Sequence, residues 1–301
     1  MIDAAEDKTL WAIVTIGKEL FAIRLQDIQT MVALPPVTAL PRAPACVRGV
    51  MNLRGSVVPV VDLRKRLGMV SLPAEMDDLI SMLNKREEDH KNWLTELESS
   101  IRDKRGFGLE TDPHKCAFGQ WYDHFKTDKL ILASLLKKFD APHRKIHAIA
   151  NTVLALQKDG KHDQALKSID DTRNGALLEM VQLFASLRLT LKESLREIAI
   201  VGRREKNNFA VIVDAVETVS LLERGSIEPL ANNGIHSDED GLVTSFGKLE
   251  KSGKLVMILD LSNVFKQVGE VDACLDESMG MGAKKKKKKP RTVERHGCGH
   301  L

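Results

Sequence analysis

Cysteine is scarce and badly placed for crosslinking. The four present, Cys46, Cys116, Cys274 and Cys298, stand far apart with no paired spacing, which excludes a disulfide framework and leaves reduced thiols as the expectation. Also missing is any apolar run near the ~18 to 20 residues that span a bilayer. The start, Met1-Ile2-Asp3-Ala4-Ala5-Glu6-Asp7, is acidic where a secretory signal is basic and then apolar, so the cytoplasm is the expected compartment. A broad basic footprint is lacking too. The formal charge of +3 hides a tail, residues 284–301, with six lysines and two arginines against one glutamate. The remaining body carries 37 positive against 41 negative groups, which argues against nucleic acid as a partner.

What is present is 301 residues, 43% of them hydrophobic, enough for about two domains with real cores. The run Lys284 to Lys289, followed by Pro290, is expected to be disordered, because like charges repel and nothing apolar offsets the entropy of ordering. His296-Gly297-Cys298-Gly299-His300 has metal-binding residue types but no expected fold to hold them.

Both ends of the chain are strand-rich. Leu10 to Ile16 and Leu20 to Leu25 flank Gly17-Lys18-Glu19 as a hairpin, and Val47 to Leu53 and Ser56 to Leu63 flank Arg54-Gly55 as another. Pro59 in the second hints at an edge or a bulge. Phe209 to Val219 echoes Phe21 to Met31, and Met257-Ile258-Leu259-Asp260-Leu261 echoes Pro59-Val60-Val61-Asp62-Leu63. The ends read as two copies of one β unit, expected to close into two small barrels packed together.

Between them, from about Pro73 to Glu197, apolar residues recur at three- and four-residue spacing, as at Val181, Phe184, Leu187, Leu191 and Leu195. Breaks at 104–108, 140–142 and 158–161 divide the block into about four amphipathic helices, long enough for a bundle. Asp112 is a good N-cap and Pro113 a good first helical residue, placing Cys116 at about the fourth helical position, where free amides favour a thiolate. His143 and His147 lie one turn apart, after a second Asp-x-Pro start, on one helix face. Thiolate and imidazole suit Zn(II) in a tetrahedral site, which asks for a fourth donor. His90, 26 residues before Cys116, is the first choice, with His114 and His124 as competitors.

Two resemblances join these readings. Val47-Arg48-Gly49-Val50-Met51-Asn52-Leu53-Arg54-Gly55-Ser56-Val57-Val58-Pro59-Val60-Val61-Asp62-Leu63-Arg64 resembles the signature of CheW-like chemotaxis coupling domains, and Phe209 to Val216 with Thr244 to Leu249 fit the later strands. His90, Cys116, His143 and His147, with Cys-x-x-Gly-x-Trp-Tyr at Cys116 to Tyr122, resemble the chemoreceptor zinc-binding (CZB) domain, ligand by ligand. The implied fold is α+β and multidomain: two SH3-like five-stranded CheW-like barrels with an inserted four-helix bundle. The expected boundaries are 8–69 and 196–269 for the CheW-like halves, 73–195 for the CZB-like insert and 270–301 for a disordered basic tail.

The CheW resemblance implies a non-enzymatic adaptor linking chemoreceptor tips to the histidine kinase CheA, with Gly49 and Arg54 on the receptor-contacting surface. Ile28 is a third partner-binding candidate. Thr30, where the family often has an acidic residue, is the departure that bears on partner choice. Gly119 and Trp121 read as packing residues, Gly119 for a close helix crossing and Trp121 with Trp93 for the bundle core. The expected activity is sensing, of zinc or of an oxidant such as hypochlorous acid, through a zinc-bound Cys116. Two alternatives stand beside it: a constitutive scaffold with structural zinc, and a zinc hydrolase. The hydrolase needs an open coordination position, and the chain has no His-Glu-x-x-His.

Overall fold

The computed structural model describes residues 8–127, 129–204, 207–230, 241–250 and 252–264. Cys274, Cys298, the lysine run and the rest of the expected tail lie outside them. The chain first lays down six strands, β1 (Lys8–Ile16), β2 (Glu19–Arg24), β3 (Ile28–Ala33), β4 (Val37–Thr38), β5 (Val47–Leu53) and β6 (Ser56–Asp62), and a short helix α1 (Leu63–Arg66). After the helical block the same order returns as β7 (Ile198–Arg204), β8 (Asn207–Val213), β9 (Ala215–Glu223), β10 (Ile227–Pro229), β11 (Val243–Lys248), β12 (Leu255–Leu259) and α8 (Leu261–Val264).

The two copies expected from the sequence echoes are present, but they exchange strands. One sheet has the order β10-β11-β12-β2-β1-β9 and the other β3-β7-β8-β6-β5-β4. Each sheet therefore takes its central hairpin from the opposite end of the chain, with β12 parallel to β2 and β6 parallel to β8. Neither half makes a sheet alone, so residues 8–69 cannot form one barrel and residues 196–269 the other. The sheets have six strands each where five were expected. Pro35 and Pro36, which cannot donate to a ladder, divide one extended segment into β3 and β4.

Those two pieces sit at opposite edges of their sheet, yet only residues 34–36 separate them. Four Cα steps reach about 14 Å at most. A flat six-stranded sheet would set its edges about 24 Å apart, so the sheet must curl strongly towards closure. Residues 224–226 join β9 to β10 across the edges of the other sheet and impose the same curl. Val14, Phe21, Ile23, Val61, Ile200, Val211 and Leu259, drawn from both sheets, share one buried core with Leu63 of α1.

The β5–β6 turn is the two-residue hairpin expected, with Arg54 at φ +52° and Gly55 at +87°, and Asn52 Oδ1 accepting the Gly55 amide at 2.9 Å. Pro59 is not at an edge. β6 lies between β5 and β8, and Pro59 is tolerated because pairing with β8 begins only at Val60.

The helical block holds six helices where four were expected: α2 (Leu72–Arg102), α3 (Ala117–His124), α4 (Leu130–Lys137), α5 (Asp140–Lys158), α6 (His162–Thr172) and α7 (Leu178–Glu193). A π-turn at Arg173–Leu177 joins α6 to α7, so three long rods carry the bundle while α3 and α4 are short pieces over it. Its core centres on Leu83, Leu94, Leu97, Phe118, Phe139, Ile146 and Phe184. No helix among the described residues is long and apolar enough to cross a membrane.

Candidate metal centre

Three helices bring four donors together. His90 projects from the middle of α2, His143 and His147 from successive turns of α5, and Cys116 from the start of α3, with their ligating atoms all within 4.8 Å of one another. Among the described residues this is the only such grouping of three or more histidine, cysteine or acidic side chains. His90, His143 and His147 are 4%, 4% and 1% exposed, whereas Cys116 is half-buried and faces a surface cleft.

Local structure at the cysteine differs from the expected pattern. Asp112 and Pro113 do not start the helix; they open a turn in which Asp112 Oδ1 accepts the His114 amide at 3.0 Å. Cys116 itself is the N-cap of α3, its Sγ accepting the Gly119 amide at 3.2 Å. The thiol thus takes the place that an oxygen side chain usually fills. Gly119 serves this turn rather than a helix crossing. A Cβ on it would lie 1.8 Å from the Pro113 carbonyl oxygen, so only glycine lets the turn fold back on α3.

Burial sets the protonation of the donors. It pushes His143 down to about 3 and His147 to about 4, with neighbouring histidines adding to the effect, and it lowers His90 as well. All three imidazoles are neutral at pH 7, the form that binds metals. Burial also pushes the Cys116 thiol up, against the pull of the Gly119 and Phe118 amides, so the helix terminus alone does not produce the readily formed thiolate expected. His90 Nδ1–H donates to the Arg86 carbonyl at 2.7 Å, which leaves Nε2 facing Cys116. His147 makes no well-formed hydrogen bond through either ring nitrogen, although both are buried. That is a costly arrangement unless something binds there.

The donor set fits a tetrahedral ion. Sulfur at ~2.3 Å and nitrogen at ~2.0 to 2.1 Å around one centre stand about 3.5 Å apart. Cys116 Sγ lies 3.2 Å from His143 Nε2 and 3.9 Å from His90 Nε2, which brackets that separation. The competing histidines are elsewhere: exposed His114 faces Asp123 at 2.9 Å, and exposed His124 donates to the Gln120 carbonyl at 2.7 Å.

Aromatic rings wall the centre. Trp93 lies 4.9 Å from the His147 ring and donates Nε1–H to the Glu110 carbonyl at 2.8 Å. Trp121 is only half-buried; the ring that fills the core against His90 and His143 is Phe118, at 5.8 and 5.0 Å. The sequence reading passed over Phe118, although its place inside the Cys-x-x-Gly-x-Trp-Tyr segment was a usable signal.

Two arginines fasten the bundle to the sheets. Arg64, on α1, donates to Asp214 at 2.6 to 3.0 Å through Nη2 and Nε, and pairs with Glu75 in the first turn of α2. Arg48, on β5, shares Nη2 between Asp62 at 2.9 Å and Glu197 at 2.7 Å, where the chain leaves the bundle for β7. Each arginine bridges one carboxylate of the sheets and one at an end of the helical block. Neither was singled out from the sequence, since the partners of Arg48 lie 14 and 149 residues away.

Of the partner-binding candidates, Arg54 is exposed at the β5–β6 turn and Ile28 is half-buried at the start of edge strand β3. Gly49, at φ +139°, is buried against β4, where a Cβ would meet the Thr38 carbonyl oxygen at 2.0 Å. Thr30 pairs with Val201 in β7.

The two-copy, exchanged-hairpin scaffold broken by one helical block has a counterpart among known families. The CheW-like domain profile matches residues 11–89 and 172–269, more than half of the chain. The chain belongs to the CheW-like family. Between those segments, residues 90–154 match the chemoreceptor zinc-binding domain. The two profiles meet inside α2, whereas the architecture itself changes at Leu72. A probable chemotaxis protein CheW of Rhizobium etli is 43% identical over 54 residues, 18% of this chain and 35% of that protein. Chemotaxis protein CheW of Helicobacter pylori is 30% identical over 90 residues, 30% of this chain and 54% of that protein. The CheW-like chain thus spans between about a third and about half of the curated relatives it matches. Among solved structures, scaffolding protein TtCheW from Thermoanaerobacter tengcongensis aligns over 86% of this chain and 93% of its own, with 14% identity and a TM-score of 0.41. The regulatory CZB domain of DgcZ aligns over 39% of this chain and 98% of its own, with 18% identity and a TM-score of 0.32.

Proposed function

We propose that this chain is a non-enzymatic chemotaxis adaptor of the cytoplasm, whose CheW-like scaffold, residues 8–69 and 196–269, links chemoreceptor tips to the histidine kinase CheA. In this reading the helical insert, residues 73–195, binds Zn(II) through His90, Cys116, His143 and His147 and alters that linkage when zinc supply or an oxidant changes the site. Arg54, Ile28 and the β4–β5 packing at Gly49 belong to the partner surface. The observation that carries the reading is the convergence of four donors, the Cys116 thiol and three buried neutral imidazoles, one of which, His147, makes no well-formed hydrogen bond among the described residues.

Zn(II), when bound, holds the sulfur as thiolate and ties three segments of the bundle together. The residues around it place each donor: the Arg86 carbonyl orients His90, and the Gly119 amide orients Cys116. Hypochlorous acid oxidises the Cys116 thiolate to sulfenic acid and is itself reduced to chloride, RS⁻ + HOCl → RSOH + Cl⁻, which removes one anionic donor. The start of α3 then loses its anchor. Such a change has a path to the scaffold through two helices. His90 lies on the helix whose first turn is paired to Arg64, and Glu87 on that helix binds Arg188 at 2.7 Å on α7, the helix that leads into the Glu197 junction with Arg48.

A second reading, zinc as a structural staple under a constitutive scaffold, is favoured by the burial of all three histidines. A hydrolase is disfavoured, because four protein donors fill a tetrahedral ion and leave no position for an activated water. The deciding experiment measures co-sedimentation with chemoreceptor arrays and CheA before and after oxidant, for the native chain and Cys116→Ala. Oxidant should change binding of the native chain and leave the variant unmoved; equal binding throughout would leave only the staple.

A further inference from the structure

Cys116, alone of the four donors, lines the surface cleft walled in part by Trp93, an open space of about 470 Å³. The three histidines lie behind it, almost wholly buried. Whatever reaches the centre from solvent meets the sulfur first. That cleft is acidic: Asp89, Glu96 and Glu110 line it, and no lysine or arginine does. Arg86 pairs with Asp89 at 3.2 Å and Arg105 pairs with Glu96, so two of the three charges are partly offset. Glu110 is not offset; its Oε1 accepts the Thr111 and Asp112 amides, both at 2.9 Å, and no cation pairs with it among the described residues. Behind Cys116 stand the buried ring nitrogens of His147, within 4.8 Å of the other donor atoms and without a well-formed hydrogen bond.

We infer that this cleft is the access channel of the four-donor centre and that its carboxylates select by charge, admitting divalent cations and uncharged reagents to Cys116 and holding off anions. Low-dielectric walls focus such a field, and a surface charge pattern of one sign changes encounter rates by about 10 to 10³-fold. The channel rests on the zinc reading only for what a cation does on arrival. For an oxidant it distinguishes uncharged hypochlorous acid or hydrogen peroxide from anionic hypochlorite. Glu110 thus becomes a selectivity-determining residue, although it donates nothing to the metal.

The test uses methanethiosulfonate reagents carrying an ethyltrimethylammonium or an ethylsulfonate group. Each forms a mixed disulfide with the thiolate and releases methanesulfinate, RS⁻ + CH₃SO₂–SR′ → RS–SR′ + CH₃SO₂⁻. Rates are read by mass spectrometry on the peptide containing Cys116 of the folded full chain as purified, without chelator, and each is normalised to a free small thiol. The cationic reagent should react about tenfold faster than the anionic one at low ionic strength. That preference should shrink severalfold in ~0.5 M salt, which needs no variant, and in Glu110→Gln alone, with the remainder lost on adding Asp89→Asn and Glu96→Gln. Equal normalised rates in the native chain, or a preference that survives both salt and the triple substitution, would overturn the channel. Zinc content, measured separately, distinguishes the failures: charge preference without zinc ends the metal reading, and zinc without charge preference ends the channel.

Discussion

The molecule contains two kinds of buried polar centre, and they are finished in opposite ways. At the junctions, Arg64 and Arg48 have their charges matched by carboxylates of the chain, Asp214 and Glu75 for one, Asp62 and Glu197 for the other, although the buried Arg48 Nε makes no well-formed hydrogen bond. In the bundle, Cys116 and three histidines face one another with no opposite charge among them, and His147 makes no well-formed hydrogen bond among the described residues. A polar cluster whose charges are matched within the chain serves the fold. One with no such match, held at burial of 96% or more at each histidine, is shaped for a ligand from outside.

Metal removal should break the comparison most severely. Structural zinc sites contribute on the order of 10 kcal/mol to the folding of small domains, so chelation should melt the helical block well below the sheets and split one calorimetric transition into two. A single unchanged transition would mean that the bundle is as self-sufficient as the junctions.

The next largest effect belongs to the junctions. Arg64→Met leaves the Asp214 carboxylate, 14% exposed, without its charge partner and should cost about 3 to 5 kcal/mol in denaturant unfolding, with zinc content unchanged. Glu75, 61% exposed, is the weaker arm, and Glu75→Gln should cost about 1 kcal/mol or less. If Arg64→Met also emptied the metal site, the two centres would be one cooperative unit rather than two.

Gly119→Ala probes the cysteine's own anchor. The added methyl would sit on the Pro113 carbonyl, so unfolding should cost about 1 to 3 kcal/mol, and zinc affinity should fall with it because the same turn sets Cys116 Sγ. Smallest of all is His114→Ala, expected within about 0.5 kcal/mol and with full zinc content, since His114 faces Asp123 at the surface.

The site was far more legible in the sequence than the way its supports are arranged. Helical period put only His143 and His147 on one face, and it was the resemblance to the chemoreceptor zinc-binding domain that singled out His90 and Cys116 beside them over His114 and His124. The repeat of Phe21 to Met31 in Phe209 to Val219 also announced two copies. It was silent about which hairpin joins which sheet, because strand exchange between similar units leaves local patterns unchanged. Pro59 read as an edge or a bulge residue; the β5–β6 register does shift beside it, between the Gly49–Val60 and Val47–Val61 pairs, but the edge was wrong because pairing limits are set by β8, some 150 residues on. Cys116 was placed inside the helix because Asp112-Pro113 reads as an N-cap followed by a first helical proline; the close fit of Gly119 against Pro113 decided otherwise.

The most direct measurement is zinc per chain in the purified full-length protein and in His90→Ala, Cys116→Ala, His143→Ala and His147→Ala, each checked for retained sheet structure by circular dichroism. About one zinc in the native chain and near none in each variant is the result expected of a four-donor tetrahedral site. A native chain without zinc, or a Cys116→Ala protein that holds it as tightly as the native chain, would contradict the proposed centre.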